Sequence, residues 1–331
     1  MANSRLGMET KSITEGALMA ALTAILAMAG IFIPMLEPVV MTIWTLPVVV
    51  VCLRWGMRPG AVTMAAAGLV ILIIATPTYA VDMLLRSAGP ALIIGYGFIH
   101  KWKSETSILF TAIAAFIGLA ASYALTFMIM GIGLDNLFSV EPETINEFVL
   151  LFSNYGLLDQ FQMSAAEMSE FFTNIFSMLK YLFPGMLLVG GLFTAFTNYV
   201  AANFVLGKLK VPLPPVTKLS DFRMPFGFVF GFIFGLGLMV VGDVFLPGLP
   251  FVARVGQNIS LVSIAIYIFQ GIGLILHFIG RAEPSARKIL KIVFIIVILM
   301  IFLYFFMIVG LIGIADALFD FRKMGIFNKK K

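Results

Sequence analysis

Asp82 and Arg86 stand four residues apart in PTYAVDMLLRSAGPALIIGYGFI, so one helical face brings a carboxylate and a guanidinium within reach of each other. Inside hydrocarbon an ionised side chain costs roughly 2.5 to 3.5 kcal/mol on insertion scales, so both must face protein, water or a ligand. The spacing supports two arrangements: a structural ion pair near the outer end of the helix, or an Arg86 that meets an anionic group of a substrate. Asp243, in VVGDVFLPG, and Arg254, in PFVARVG, bracket a turn and are expected to pair across it. Tyr267, Gln270, Leu274 and His277 follow 3, 4, 3 spacing, which puts three polar side chains on one face. In lipid that face turns inward, either to bond neighbouring helices or to line a cavity. Asn198 and Asn203 are five apart and not cofacial, so at most one lines a common site. Trp44, in EPVVMTIW, lies near a helix end, where interfacial anchoring competes with ligand stacking. The ligand-binding candidates are Trp44, Asp82, Arg86, Asn198 and Gln270.

Catalytic patterns are missing. The two histidines, His100 beside Lys101 and His277, form no HExxH or other metal constellation. GLGLM and GGLF are glycine pairs within apolar stretches, with no following Lys-Ser or Lys-Thr to suggest a phosphate loop. The single cysteine, Cys52, allows no intrachain disulfide and no thiolate cluster. The expectation is a protein that is not an enzyme, with no cofactor, no metal and no nucleic-acid partner, since the net charge of +5 lies in loops without a basic-aromatic patch.

These residues must be positioned by helices in a membrane. The 331-residue chain is 61% hydrophobic and 12% charged, with a mean hydropathy of +1.05. A soluble surface needs about twice that charge density. Several stretches reach the roughly 20 apolar residues that cross about 30 Å of hydrocarbon. Spans are expected at 13–34, 39–55, 59–76, 82–100, 107–131, 181–206, 226–247, 257–279 and 289–314. The second and fourth are weak, because one is short with Pro47 and the other holds Asp82, Arg86 and Pro90. The fold class is an all-α polytopic membrane protein with 8 to 9 transmembrane helices plus extracellular amphipathic helices.

Charge sets the expected orientation. Arg5 and Lys11, Arg54 and Arg58, Lys101 and Lys103, Lys208 to Arg223, and Arg281 to Lys291 fall on one face, which is then cytoplasmic and holds the amino end of a bacterial cell-membrane protein. The connection 132–180 carries seven acids before Lys180 and belongs outside, with its apolar residues suiting helices over the mouth of the bundle. The tail DFRKMGIFNKKK conflicts with nine crossings, which would leave it outside; its five basic residues favour an even number and a tail inside. The expected organisation is a cytoplasmic segment 1–12, a six-helix core 13–206 capped by 132–180, a cytoplasmic loop 207–225, additional helices 226–314 and a basic tail 315–331.

The first span opens unusually, with EGALMAALTAILAMAG. Gly16, Ala20 and Ala24 form a small-xxx-small row with Ala17 and Ala21 beside it, a face that lets another backbone approach closely. This face is the partner-docking candidate; packing within the same chain competes with it. GALMAALTAILAMAGIFIP, TLPVVVVCLRWGMRPGAV, GPALIIGYGFIHKWKS and a sixth helix ending in GKLK make the first two thirds resemble the S components of energy-coupling-factor transporters. With three further helices and GIADALFDFRK, the whole chain looks most like the YybS-like bacterial membrane family. The S-component resemblance implies capture of a small, partly apolar molecule or lipid from the outer face and a coupling protein that docks on the first helix and supplies energy. The alternative function is a non-catalytic scaffold that recruits envelope or signalling proteins.

Overall fold

A computed structural model describes residues 2–131, 133, 141–209, 219–300 and 302–323. Among these residues thirteen α-helices follow one another: α1 Ala2–Phe32, α2 Glu37–Ile43, α3 Leu46–Trp55, α4 Met57–Ile74, α5 Pro77–Ile99, α6 Ser104–Met130, α7 Pro142–Asn154, α8 Leu157–Phe161, α9 Ala165–Lys208, α10 Val229–Val240, α11 Pro250–Arg281, α12 Pro284–Met300 and α13 Phe302–Phe319. No strand occurs among the described residues. Among the described residues seven segments are long and apolar enough to cross a membrane, so the chain is an all-α polytopic membrane protein.

Three expected spans take a different form. The second is interrupted: a 3-10 turn at Pro34–Leu36 leads into α2, and α3 begins afresh at Leu46. Pro47 explains the break, since it has no N–H to give to the Ile43 carbonyl. The sixth is one helix of 44 residues, and 165–179 runs straight into it rather than lying as a separate helix. Ser164 and Glu167 open it as a capping box, with the Ser164 amide donating to Glu167 Oε2 at 2.7 Å and the Glu167 amide to Ser164 Oγ at 3.3 Å. The ninth is two helices, α12 and α13.

The chain forms two compact units, one of Met1–Tyr123, Leu187–Val229 and Ile264–Lys331, the other of Ala124–Met186 and Phe230–Ser263. In the first, α1, α3, α4 and α5 surround a core of Ala24, Ala27, Trp44, Val48, Cys52, Met64, Ile71 and Met83. The small-residue face of α1 divides. Gly16, Ala20 and Ala24 are buried, and a Cβ on Gly16 would stand 2.9 Å from Thr63 Oγ1 of α4. That row is therefore intrachain core and is closed to a partner, because α4 already occupies the close approach it permits. Ala17 and Ala21 stay exposed.

At one end of this unit Glu15 accepts from Trp55 Nε1 at 2.8 Å and pairs with Arg54, while Leu206 packs with Val50 and Phe98. Glu15 of α1 and the ends of α3, α5 and α9 thus share that end. In the second unit α7 turns Ile145 and Val149 onto Met168 of α9, with Phe172 bridging to Phe148 and Phe152.

The carboxyl-terminal helices explain the basic tail. Ideal Cβ atoms on Gly310 and Gly313 would stand 2.7 Å from Ile264 Cγ2 and 2.0 Å from the Tyr267 carbonyl oxygen, and Gln270 bonds Asp316. Each of these three pairs is 46 residues apart, the separation of Gln270 from Asp316, and a constant offset means that α11 and α13 run parallel. The 17 residues of α12, about 25 Å of helix, carry the chain back between them. The span expected at 289–314 is corrected accordingly, and Asp320 and Arg322, after α13, lie at the end where α11 finishes, beside residues 219–223.

Close approach of α11 and α13 demands glycine. Gly313→Leu is expected to destabilise the protein by about 3 kcal/mol or more, because the blocking atom is a backbone carbonyl that cannot move aside. Gly237→Ala, with nothing within 4 Å of the added carbon, is expected to leave stability unchanged. Thermal unfolding of both variants in detergent provides the measurement.

Candidate functional site

Each of the five sequence candidates already has a protein partner. Arg86 Nε donates to Asp82 Oδ1 at 3.0 Å and to Ser122 Oγ at 2.9 Å, and the Ser122 hydroxyl donates to the same carboxylate oxygen. The guanidinium lies 5.5 Å from the centre of the Tyr123 ring. The spacing of four thus yields an ion pair that ties α5 to α6. Trp44 is fully buried, with Nε1 donating to Ser87 Oγ at 3.0 Å. It is a core residue rather than an interface anchor.

Asn198 is also buried. With its amide nitrogen turned to α2, it donates to the Thr42 and Met41 carbonyls at 2.8 and 3.0 Å. These acceptors lie where the break before α3 interrupts the helical ladder. Gln270 sits in a dense polar knot: its Oε1 accepts the Met224 amide at 2.9 Å, and its Nε2 donates to Asp316 Oδ2 at 3.1 Å. Arg322 donates to the same Asp316 oxygen at 3.1 Å and to the Ser220 carbonyl at 2.6 Å. Both charged side chains are 2% exposed. Burial lowers the Arg322 guanidinium from its ordinary value, and the Asp316 carboxylate opposes that shift. The five candidates all fall in the first unit, at separate places, and do not form one site.

The second unit holds a cavity of about 520 Å³ between α9 and α11. Its walls are Phe183 and Pro184 from one helix and Phe251, Val255 and Ile259 from the other. Arg254 and Lys180 supply the charge, and both are basic. The Arg254 guanidinium carbon lies 3.4 Å from the centre of the Tyr181 ring, flat against the aromatic face. Among the described residues no carboxylate is within ion-pair distance of Arg254, so the expected pairing with Asp243 is not formed. The chain instead makes a π turn at Val241–Phe245, and Ala253 packs against Gly242, whose added Cβ would lie 2.3 Å from the Ala253 amide nitrogen.

Asn258 holds this region together. Pro184 interrupts the hydrogen-bond ladder of α9, and Asn258 Oδ1 accepts the Gly185 amide at 2.7 Å while Nδ2 donates to the Tyr181 carbonyl at 2.8 Å. Gly185 and Tyr181 are partners in an unbroken helix, so the carboxamide bonds both halves of one helical step. The same nitrogen donates to the Arg254 carbonyl at 2.8 Å. A side chain on Gly185 would come within 2.6 Å of Asn258 Oδ1.

A family model described as a predicted membrane protein, DUF2232, matches residues 21–317. The chain belongs to that family. It is 21% identical over 240 residues to the uncharacterized protein YybS of Bacillus subtilis (strain 168), covering 72% of this chain and 74% of that one. No solved structure matches. The family region contains the cavity and Asp316 and ends before Arg322. Sequence reasoning treated Arg254 as half of a turn-spanning pair and did not select Asn258 or Tyr181. The usable signal was the combination of a proline inside one long apolar helix and an asparagine inside another.

The polar knot yields a stability test. Arg322→Leu leaves the Asp316 carboxylate buried without its cation, and a loss of about 3–5 kcal/mol is expected in chemical unfolding. The double variant Asp316→Leu/Arg322→Leu is expected to lose less than the sum of the single changes. A strictly additive result would refute the pairing.

Proposed function

We propose that this protein is a membrane-embedded binding component that captures a small, partly apolar molecule or lipid in the cavity between α9 and α11. The observation that carries this reading is the cavity itself: about 520 Å³, within the size of ordinary ligand sites, with apolar and aromatic walls and few polar groups. Entry from the outer face follows from the acid-rich segment 132–180, which the charge rule assigns outside, opposite basic loops that face the cytoplasm. A partner would supply the energy for transport, as the sequence carries no phosphate-binding loop for an ATPase and few intramembrane acids for ion coupling. In this role the protein is not an enzyme. The exposed Ala17 and Ala21 leave a narrow strip of α1 for a coupling protein. The scaffold alternative loses support from Gly16, Ala20 and Ala24, which α1 uses against α4.

Purification in native lipid followed by mass spectrometry tests the reading. One small apolar molecule or lipid is expected per chain, and Ile259→Trp, which fills the cavity, is expected to reduce it by about tenfold while thermal unfolding remains near wild type. Wild-type protein without an enriched small molecule, or occupancy indifferent to Ile259→Trp, would sink the proposal.

A further inference from the structure

We infer that the occupant of this cavity is an amphiphile with an oxyanion headgroup, a phosphate ester or a carboxylate, gripped by Arg254. The inference rests on the capture reading above and specifies its ligand. A guanidinium carries five N–H donors in a rigid planar fork. In Arg254 the plane is fixed on the Tyr181 ring, and no acceptor among the described residues bonds its side chain. Arg86 and Arg322 offer the contrast, since each is bonded to a carboxylate. Stacking on Tyr181 occupies a face of the guanidinium and leaves its donor edge for a ligand.

The other polar groups narrow the choice. Asn258 already bonds three backbone groups with its two ends, so it positions the site and does not read the ligand. By joining the Arg254 carbonyl to the Tyr181 carbonyl, it sets the register in which ring and guanidinium meet. Among the described residues no acid lines the cavity. An arginine that no carboxylate among the described residues meets, in a partly apolar site, favours an anion, and the planar fork suits the paired oxygens of a phosphate or carboxylate. The apolar surfaces of Phe183, Phe251, Val255 and Ile259 require that the anion carry a hydrocarbon part.

Native mass spectrometry of the full chain tests this, with phosphatidylglycerol, oleate, phosphatidylcholine and diacylglycerol added singly to delipidated protein. Phosphatidylglycerol or oleate is expected to be retained about tenfold over diacylglycerol, and whichever of the two binds more tightly identifies the phosphate or the carboxylate as the source. Arg254→Gln is expected to remove that preference and to leave diacylglycerol retention unchanged. Arg254→Lys, which keeps the charge and loses the fork, is expected to fall between them; if Arg254→Gln does not fold, full wild-type preference in Arg254→Lys overturns the proposal. Equal retention of charged and uncharged lipids by wild type also overturns it. If diacylglycerol occupies the cavity and is displaced by Ile259→Trp without any preference for an anion, capture stands and the headgroup inference falls. If no probe binds in a manner sensitive to Ile259→Trp, both fall.

Discussion

Backbone amides and carbonyls left outside regular helical ladders must be bonded by other groups, and three side-chain carboxamides in this protein take that place. Asn198 serves the carbonyls of Met41 and Thr42 where α2 stops before α3. Asn258 serves Gly185 and Tyr181 around Pro184 in α9. Gln270 serves the Met224 amide ahead of α10. A carboxamide suits this task because it carries a donor and an acceptor without a charge to desolvate. The helix interruptions that give the fold its bends are therefore tied to the few neutral polar residues within the spans.

Close backbone approach is the second constraint. Gly16, Ala20 and Ala24 let α1 lie against α4, and Gly271, Gly310 and Gly313 let α11 and α13 run side by side. Lipid tails are as apolar as leucine, so association depends on packing and on polar bonds between helices. The parallel pair also brings Asp316 under Gln270 and carries Arg322 to the Ser220 carbonyl. Asp320 and Arg322, just after α13, consequently lie beside Arg223 and Ser220.

The arginines divide by partner. Arg86 and Arg322 neutralise acids inside the first unit and serve structure. Arg254 has an aromatic ring where the others have a carboxylate, and no acid among the described residues lines its cavity. This difference in partner, rather than any difference in the residue itself, separates a candidate binding group from structural ones. The S-component resemblance supplied the idea of capture from the outer face, and the cavity supplies a place for it in the second unit.

Composition alone determined that the chain is a polytopic helical membrane protein, because hydrocarbon admits no other use for so many long apolar segments. Spacing determined that Asp82 and Arg86 would meet, since a separation of four places side chains together on a helix wherever the helix lies. The small-residue rows and the basic tail were equally visible, but their consequences were not. Whether Gly16, Ala20 and Ala24 faced a partner or α4 depended on a contact between residues far apart in sequence, Gly16 and Thr63. The placement of Asp320 and Arg322 depended on α12 and α13 being two helices within one continuous apolar run, where hydropathy has no feature to mark the change. The same limit hid the cavity: Asn258 could be assigned to the Pro184 break, and Arg254 to Tyr181, only once α9 and α11 were packed together. Local periodicity fixes which side of a helix is polar, and tertiary packing alone decides what that side meets.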